Sequence, residues 1–126
     1  MIRNILAGLL ALAVIPVPAL AQPSVAGSWR VDFVTPLGQA FVNMTINQTG
    51  SKLTGHATDE FGEYPIDGRV TDDQVTVVWS VPEDGKMLEI TMKGRIEGNQ
   101  ITGTAKLGDV GEGPLTARRT GDADLR

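Results

Sequence analysis

Residues 68–76 read GRVTDDQVT, and residues 94–102 repeat this pattern as GRIEGNQIT, 26 positions further along the chain. In both copies apolar and polar residues alternate on either side of a pair of turn-forming residues. Alternation with a period of two predicts a half-buried β-strand, and Asp, Asn and Gly in the middle predict a tight reversal of the chain. The repeated unit is therefore predicted to be a β-hairpin.

The same alternation continues in both directions from this unit, and no segment has a sustained helical period. Clusters of turn residues, such as Thr49–Ser51 and Glu83–Gly85, separate the alternating stretches. The pattern predicts eight strands, at residues 27–33, 40–48, 52–58, 63–70, 74–81, 87–96, 100–107 and 113–118.

A hairpin used repeatedly predicts that each strand pairs with its neighbour in sequence. Such a sheet has two unpaired edges until it closes on itself. We therefore predict an all-β fold, an eight-stranded antiparallel up-and-down β-barrel, with an open β-sandwich as the alternative. A barrel of about eight strands is either filled by its own side chains or holds one small ligand.

The N-terminal residues have the three zones of a secretory signal peptide. Arg3 supplies a positive charge, residues 5–15 form an apolar run, and Ala19–Ala21 has the small-x-small pattern that precedes a cleavage site. The apolar run is too short to span about 30 Å of hydrocarbon, so a membrane anchor is not expected. We predict that residues 1–21 are removed and that the protein is exported to the periplasm or the extracellular space.

Cleavage there leaves one domain, predicted at residues 22–119, and a polar tail at 120–126 that we expect to be disordered. Without Arg3 the chain has ten basic and 15 acidic residues, a net charge of −5. This charge argues against nucleic acid or an anionic membrane as a partner, since both require clustered Lys and Arg. The chain contains no cysteine, so its stability has to come from the apolar core and the hydrogen-bond ladder.

The inward face predicted by the alternation carries no charged residue. Six inward positions are small, which leaves two alternatives open: a filled core or a small pocket. These positions are Gly55, Ala57, Gly68, Gly103, Ala105 and Ala117. Tyr64 is the only large inward side chain with a polar tip. The residues predicted to bind an apolar ligand are Phe33, Met44, Tyr64, Trp79 and Met92.

The sequence offers no set of catalytic or metal-binding residues. His56 is the only histidine, and alternation places it on the outer face. No Gly-x-Ser-x-Gly motif is present, and one histidine without cysteine does not make a usual zinc site. The acidic residues cluster in predicted turns without the spacing of a calcium loop. No catalytic residue, metal or cofactor is predicted.

Gly27-Ser28-Trp29 at the start of the first strand and Arg118 near the end of the last strand resemble the calycin pattern of lipocalins, avidins and small exported bacterial barrels. The resemblance implies that Trp29 packs beneath Arg118 and closes one end of the barrel. Residues 52–55 also resemble an avidin hairpin. The polar groups with which avidins bind biotin are not matched here, so biotin binding is not expected.

Three functions are compatible with these observations. The first is an exported barrel that binds a small apolar ligand in its interior. The second is a filled barrel whose loops bind an exported protein, as an inhibitor of a protease or an accessory to a hydrolase. This alternative follows from a resemblance to small periplasmic protease inhibitors and to lipocalin-like domains of secreted hydrolases, although residues 22–26 form only a short N-terminal trunk. The third is a cyclase or isomerase, and the sequence favours a protein that is not an enzyme.

Overall fold

The computed structural model describes residues 23–36 and 38–121, so the predicted signal peptide lies outside the described residues. Within these ranges the fold is all-β, as predicted. The strands are β1 (Gly27–Thr35), β2 (Gly38–Thr49), β3 (Lys52–Asp59), β4 (Gly62–Thr71), β5 (Gln74–Glu83), β6 (Lys86–Glu97), β7 (Gln100–Leu107) and β8 (Gly111–Gly121). No helix in the described ranges has the length and hydropathy needed to cross a membrane.

The eight strands form a closed barrel in which each strand is antiparallel to the next one in sequence. β8 returns to pair with β1, with Val31 opposite Ala117 and Phe33 opposite Leu115. This pairing confirms the up-and-down barrel and excludes the open sandwich. Closure also removes both sheet edges, which matters for a chain without disulfides.

The barrel has two different ends. The turns after β1, β3, β5 and β7 lie at one end, hereafter the open end. The turns after β2, β4 and β6 lie at the other end together with the start of β1 and the end of β8, and this is hereafter the closed end. The strand alternation directs apolar side chains inward between the two ends, and no polar or charged residue of the described chain is fully buried.

The inward glycines do not leave empty space in the interior. A Cβ atom on Gly103 would lie 1.9 Å from the Lys93 carbonyl oxygen, and one on Gly55 would lie 1.9 Å from the Thr45 carbonyl oxygen. The backbone of the adjacent strand therefore occupies the volume that a side chain would fill. These glycines allow the strands to approach and coil tightly rather than creating a cavity.

Trp29 fills the closed end, but the residue that covers it is Arg119. The Arg119 guanidinium carbon lies 4.5 Å from the centre of the Trp29 ring, whereas Arg118 is exposed. The prediction of Arg118 is therefore wrong by one residue. Leu115 and Ala117 point inward, so alternation along β8 brings residue 119 inward as well. The regular register between β1 and β8 pairs Trp29 with Arg119, and the register shifts only beyond this pair, between Trp29 and Ser28.

The segment before β1 completes this closed end. Val25 is fully buried, and its carbonyl oxygen accepts a hydrogen bond from Trp29 Nε1 at 2.9 Å. Gln48 Oε1 accepts from the Val25 N–H at 2.6 Å, and Gln48 Nε2 donates to the carbonyl oxygens of Pro23 and Gly50 at 3.2 and 2.9 Å. β8 reaches Gly121, so the strand continues two residues into the predicted tail, and residues 122–126 lie outside the described residues.

Candidate functional site

A pocket of about 240 Å³ enters the barrel at the open end. Its walls are mostly apolar and its rim is polar. The apolar lining includes Phe33, Val42, Val81, Leu88, Ile90 and Leu107, and the polar rim includes Thr35, Gln39, Asp59 and Glu83. This combination of an apolar wall with a few polar groups is typical of a small-molecule site.

Phe33, Val81, Leu88 and Leu107 are the inward apolar side chains of their strands that lie nearest the turns of the open end. Val81 and Leu88 lie opposite each other across the β5–β6 hairpin. The two residues of its turn, Asp84 and Gly85, have φ values of 54° and 79°. Positive φ at both positions is the geometry of a type I′ turn, whose twist matches that of the strands it joins. The local turn sequence therefore positions one wall of the pocket.

Asp59 organises the β3–β4 turn at the pocket rim. Its Oδ1 accepts hydrogen bonds from the N–H groups of Phe61 at 2.8 Å and Gly62 at 3.1 Å. The Tyr64 hydroxyl donates to the same oxygen at 3.2 Å. Partial burial, together with the hydrogen bond and negative charge of Asp59, raises the pKa of the Tyr64 hydroxyl above its ordinary value.

The barrel wall is split beside this pocket. The ladder of paired residues between β4 and β5 stops at Asp67 and Val78, although β4 begins at Gly62 and β5 runs to Glu83. Along this length β4 remains paired with β3, and β5 remains paired with β6. The result is a seam between β4 and β5 in the half of the barrel nearest the open end.

Two prolines account for the seam. Successive N–H groups of an antiparallel strand face opposite neighbours. The Val70 N–H of β4 donates towards β3, to Ser51 at 2.9 Å, so the odd-numbered residues of β4 face β5. The Asp73 carbonyl accepts a hydrogen bond from β6, so the even-numbered residues of β5 face β4. Pro65 and Pro82 occupy such positions and have no N–H to donate across the seam.

A groove of about 360 Å³ follows the seam. Tyr64, Pro65 and Ile66 line it on the β4 side, and Val78, Trp79 and Ser80 line it on the β5 side. Trp79 is 2% exposed, and its Nε1 is buried without a hydrogen-bond partner. An unpartnered buried donor costs about 1–3 kcal/mol, which a bound water or ligand oxygen would recover.

The structure divides the five residues predicted to bind a ligand into two groups. Phe33 lines the pocket at the open end, and Tyr64 and Trp79 line the adjacent seam groove. Met44 and Met92 are at most 1% exposed in the middle of the core and line neither of these two pockets. Three of the five side chains thus lie together at the open end.

Sequence reasoning missed Asp59 and much of the pocket wall. The sequence predicts only that Asp59 is one of several acidic turn residues, and its position five residues before the single tyrosine is the available signal. Alternation predicts that Val81 and Leu88 face inward and that Leu107 ends a strand, but it does not tell where along its length a barrel opens.

The outer wall carries the only histidine of the chain. His56 Nε2 lies 2.9 Å from Glu63 Oε2, and both side chains are about half exposed. Among residues 23–36 and 38–121 no group of three or more His, Cys, Asp and Glu side chains is arranged to hold a metal ion. The closed eight-stranded barrel is compatible with the calycin resemblance. No protein-family model matches this chain, and no curated protein matches it significantly.

Proposed function

We propose that this protein is an exported, calycin-like binding barrel that holds a small, neutral and largely apolar ligand at its open end. The observation that carries the proposal is the pocket of about 240 Å³ with its wall of Phe33, Val42, Ile90 and Leu107. Burying apolar ligand surface there would contribute about 25 cal/mol per Å² removed from water. The proposal of export rests on the signal-peptide pattern of residues 1–21.

The size and charge of the pocket narrow the class of ligand. Its volume of about 240 Å³ lies below the ~300–1,000 Å³ of typical small-molecule sites. The ligand is therefore compact, or it extends from the pocket into the seam groove. Asp59 and Glu83 at the rim disfavour an anion, because like charges repel at short range.

The unpartnered indole of Trp79 supports a ligand with one hydrogen-bond acceptor. Trp79 pairs across the β5–β6 ladder with Ile90, which lines the pocket, and Trp79 itself lines the seam groove. Trp79 therefore lies between the pocket and the seam groove. A ketone, ester or alcohol oxygen that reaches Nε1 would satisfy a donor that otherwise remains unpaired.

Titration with a neutral fluorescent probe, N-phenyl-1-naphthylamine, tests the proposal. We expect saturable binding by the chain without residues 1–21. The substitution Val81→Phe adds volume inside the pocket and is expected to weaken binding about tenfold or more, which corresponds to about 1.4 kcal/mol. Val110→Phe makes the same change at an exposed position of the same end and is the matched control.

Two results of the probe titration would contradict the proposal. Equal affinity in the wild type and in Val81→Phe would place the probe outside the pocket and contradict the proposal. Absence of saturation with this probe and with a series of short neutral alcohols and ketones would contradict it as well. Circular dichroism of both variants confirms that the barrel is retained.

A further inference from the structure

Large apolar side chains are exposed at only one end of the described barrel. Five such residues are more than two-fifths exposed: Val34 (42%), Phe41 (47%), Phe61 (81%), Met87 (65%) and Val110 (47%). Each of the four turns at the open end carries at least one of them in the turn or within three residues of it. We refer to these five residues as the apolar collar, and they surround the mouth of the pocket.

The closed end differs in composition. Its turns are Gly50–Ser51, Asp72–Asp73 and Gly98–Asn99, which contain only glycine and polar residues. Single exposed apolar residues scattered over a surface are ordinary, whereas an exposed apolar patch at one place marks an interaction site. The confinement of the collar to one end therefore points to contact with another molecule.

The charges are also unevenly distributed. Seven carboxylates and two lysines lie within two residues of the four turns at the open end. The carboxylates belong to Asp59, Glu60, Glu63, Glu83, Asp84, Asp109 and Glu112, and the lysines are Lys86 and Lys106. The turns at the closed end have Asp72, Asp73 and Glu97, with Lys52, Arg118 and Arg119 close to that end. The open end is thus both apolar and strongly acidic.

We infer that the apolar collar is a docking surface for an exported protein that presents a segment with both cationic and apolar side chains. Charge complementarity favours this occupant, because basic groups would pair with the acidic rim while apolar groups cover the collar. A second copy of this chain would bring two acidic ends together. An anionic lipid surface would repel the same end.

A groove of about 630 Å³ extends the collar down the outer wall of β2, β1 and β8. Val34 and Phe41 line it together with Arg30, Asp32 and Pro114. The Arg30 guanidinium carbon lies 3.9 Å from the centre of the Phe41 ring, and Arg30 Nη2 lies 3.2 Å from Asp32 Oδ1. Arg30 thus packs against the Phe41 ring, and the groove offers a partner segment a surface that continues beyond the rim.

A pair of designed peptides tests the inference independently of ligand binding in the pocket. One peptide alternates Leu and Trp with Lys, and the other has Glu in place of each Lys. Fluorescence anisotropy measures the binding of each labelled peptide to the chain without residues 1–21. We expect the cationic peptide to bind and the acidic peptide not to bind.

Substitutions at the two ends provide the decisive comparison. Phe61→Ser with Met87→Ser, both highly exposed, is expected to weaken binding of the cationic peptide roughly tenfold or more. Glu60→Gln with Asp84→Asn should also weaken it, and its salt dependence should decrease. Asp72→Asn with Glu97→Gln removes the same charge at the closed end and should leave the affinity unchanged.

Four results would overturn the inference. The first two are that both peptides bind equally and that charge removal has the same effect at either end. The third is that the collar binds phosphatidylcholine–phosphatidylglycerol vesicles. The fourth is that the chain forms a concentration-dependent dimer that Phe61→Ser/Met87→Ser abolishes. Binding of N-phenyl-1-naphthylamine by the single variant Phe61→Ser, whose residue lines neither the pocket nor the seam groove, reports on the ligand site alone. Failure of the docking surface and failure of the ligand site are therefore distinguished.

Discussion

Arg119 holds together three segments that are distant in sequence. Its guanidinium lies over Trp29 and donates to the carbonyl oxygens of Ala26, Ser24 and Gly98. Because it contacts the chain before β1 and the turn after β6 at the same time, one side chain closes the barrel end. A planar group with five donors is suited to this role, and Lys would not replace it.

We predict that Trp29→Ala lowers the free energy of unfolding by ~3–5 kcal/mol, since it removes a large buried aromatic side chain. Arg119→Ala should have a smaller effect, and the two effects should not add, because the residues touch. Denaturant unfolding of the two single variants and the double variant measures this coupling. Arg118→Ala, at the exposed neighbouring position, is the control and should change stability little. Additive losses for Trp29 and Arg119 would contradict the contact.

Tyr64 provides a pH-dependent signal, because it is the only tyrosine in the chain. Its pKa is raised by burial and by Asp59, so the protonated hydroxyl is favoured in the folded state. This pKa difference adds to the free energy of unfolding at pH values below the ordinary tyrosine pKa of about 10. The contribution is lost as the pH rises through the pKa of Tyr64 in the folded state.

We expect the phenolate absorbance to appear above the usual range for tyrosine and to move to lower pH in Asp59→Asn, which removes the negative charge. Unfolding of the wild type should become easier at alkaline pH, and Tyr64→Phe should remove this component of the pH dependence. A wild-type titration identical to that of Asp59→Asn would show that Asp59 does not act on Tyr64.

The pairing of β4 with β5 is the element that makes the barrel asymmetric. The ladder between β4 and β5 stops at Asp67 and Val78. The ladder between β1 and β8 continues to Phe33 and Leu115, and the other six ladders extend to the open end. Pro65 and Pro82 remove donors from this seam, and proline is also a residue that protects exposed strand edges from pairing with other chains. The two strand edges at the seam are therefore unpaired, but the prolines disfavour their pairing with a strand of another chain.

Amide hydrogen exchange should report the seam directly. We predict faster exchange for the N–H of Ser80, which faces the seam, than for the N–H of Val78, which faces the paired part of β4. Val81, whose N–H faces β6, serves as the control on the same strand. Pro65→Val with Pro82→Val restores both donors and should slow exchange at Ser80. Equal protection of Ser80 and Val78 in the wild type would contradict an open seam.

At the scale of the whole molecule, the two ends of the barrel differ in packing, in exposed apolar surface and in charge. The closed end combines a buried tryptophan, an arginine and the hydrogen bonds that Gln48 accepts from Val25 and donates to Pro23, and these contacts stabilise a small domain that has no cysteine. The open end has a pocket, a split wall, exposed apolar side chains and an excess of carboxylates. Stability is thus concentrated away from the end at which we propose that binding occurs.

The strands, their order and the apolar interior could be predicted from the sequence alone. Alternation in β1 and β6 and turn residues such as Asp84 and Gly85 act within a few positions, so they can be read without knowing distant contacts. The repeat of residues 68–76 at 94–102 adds the expectation that neighbouring strands pair. Trp29 is buried at one end of the barrel, the place that the calycin resemblance of Gly27-Ser28-Trp29 implies for it.

Only the tertiary structure decided which arginine covers Trp29, where the barrel wall opens and what fills the interior. Arg119 meets Trp29 through a register between β1 and β8, strands about ninety positions apart, and no local pattern carries that register. The space beside Gly103 and Gly55 is taken by backbone from a neighbouring strand, so side-chain volumes alone could not show whether the core is filled. The pocket likewise depends on how eight strands end together at one side, since its walls come from residues as far apart as Phe33 and Leu107.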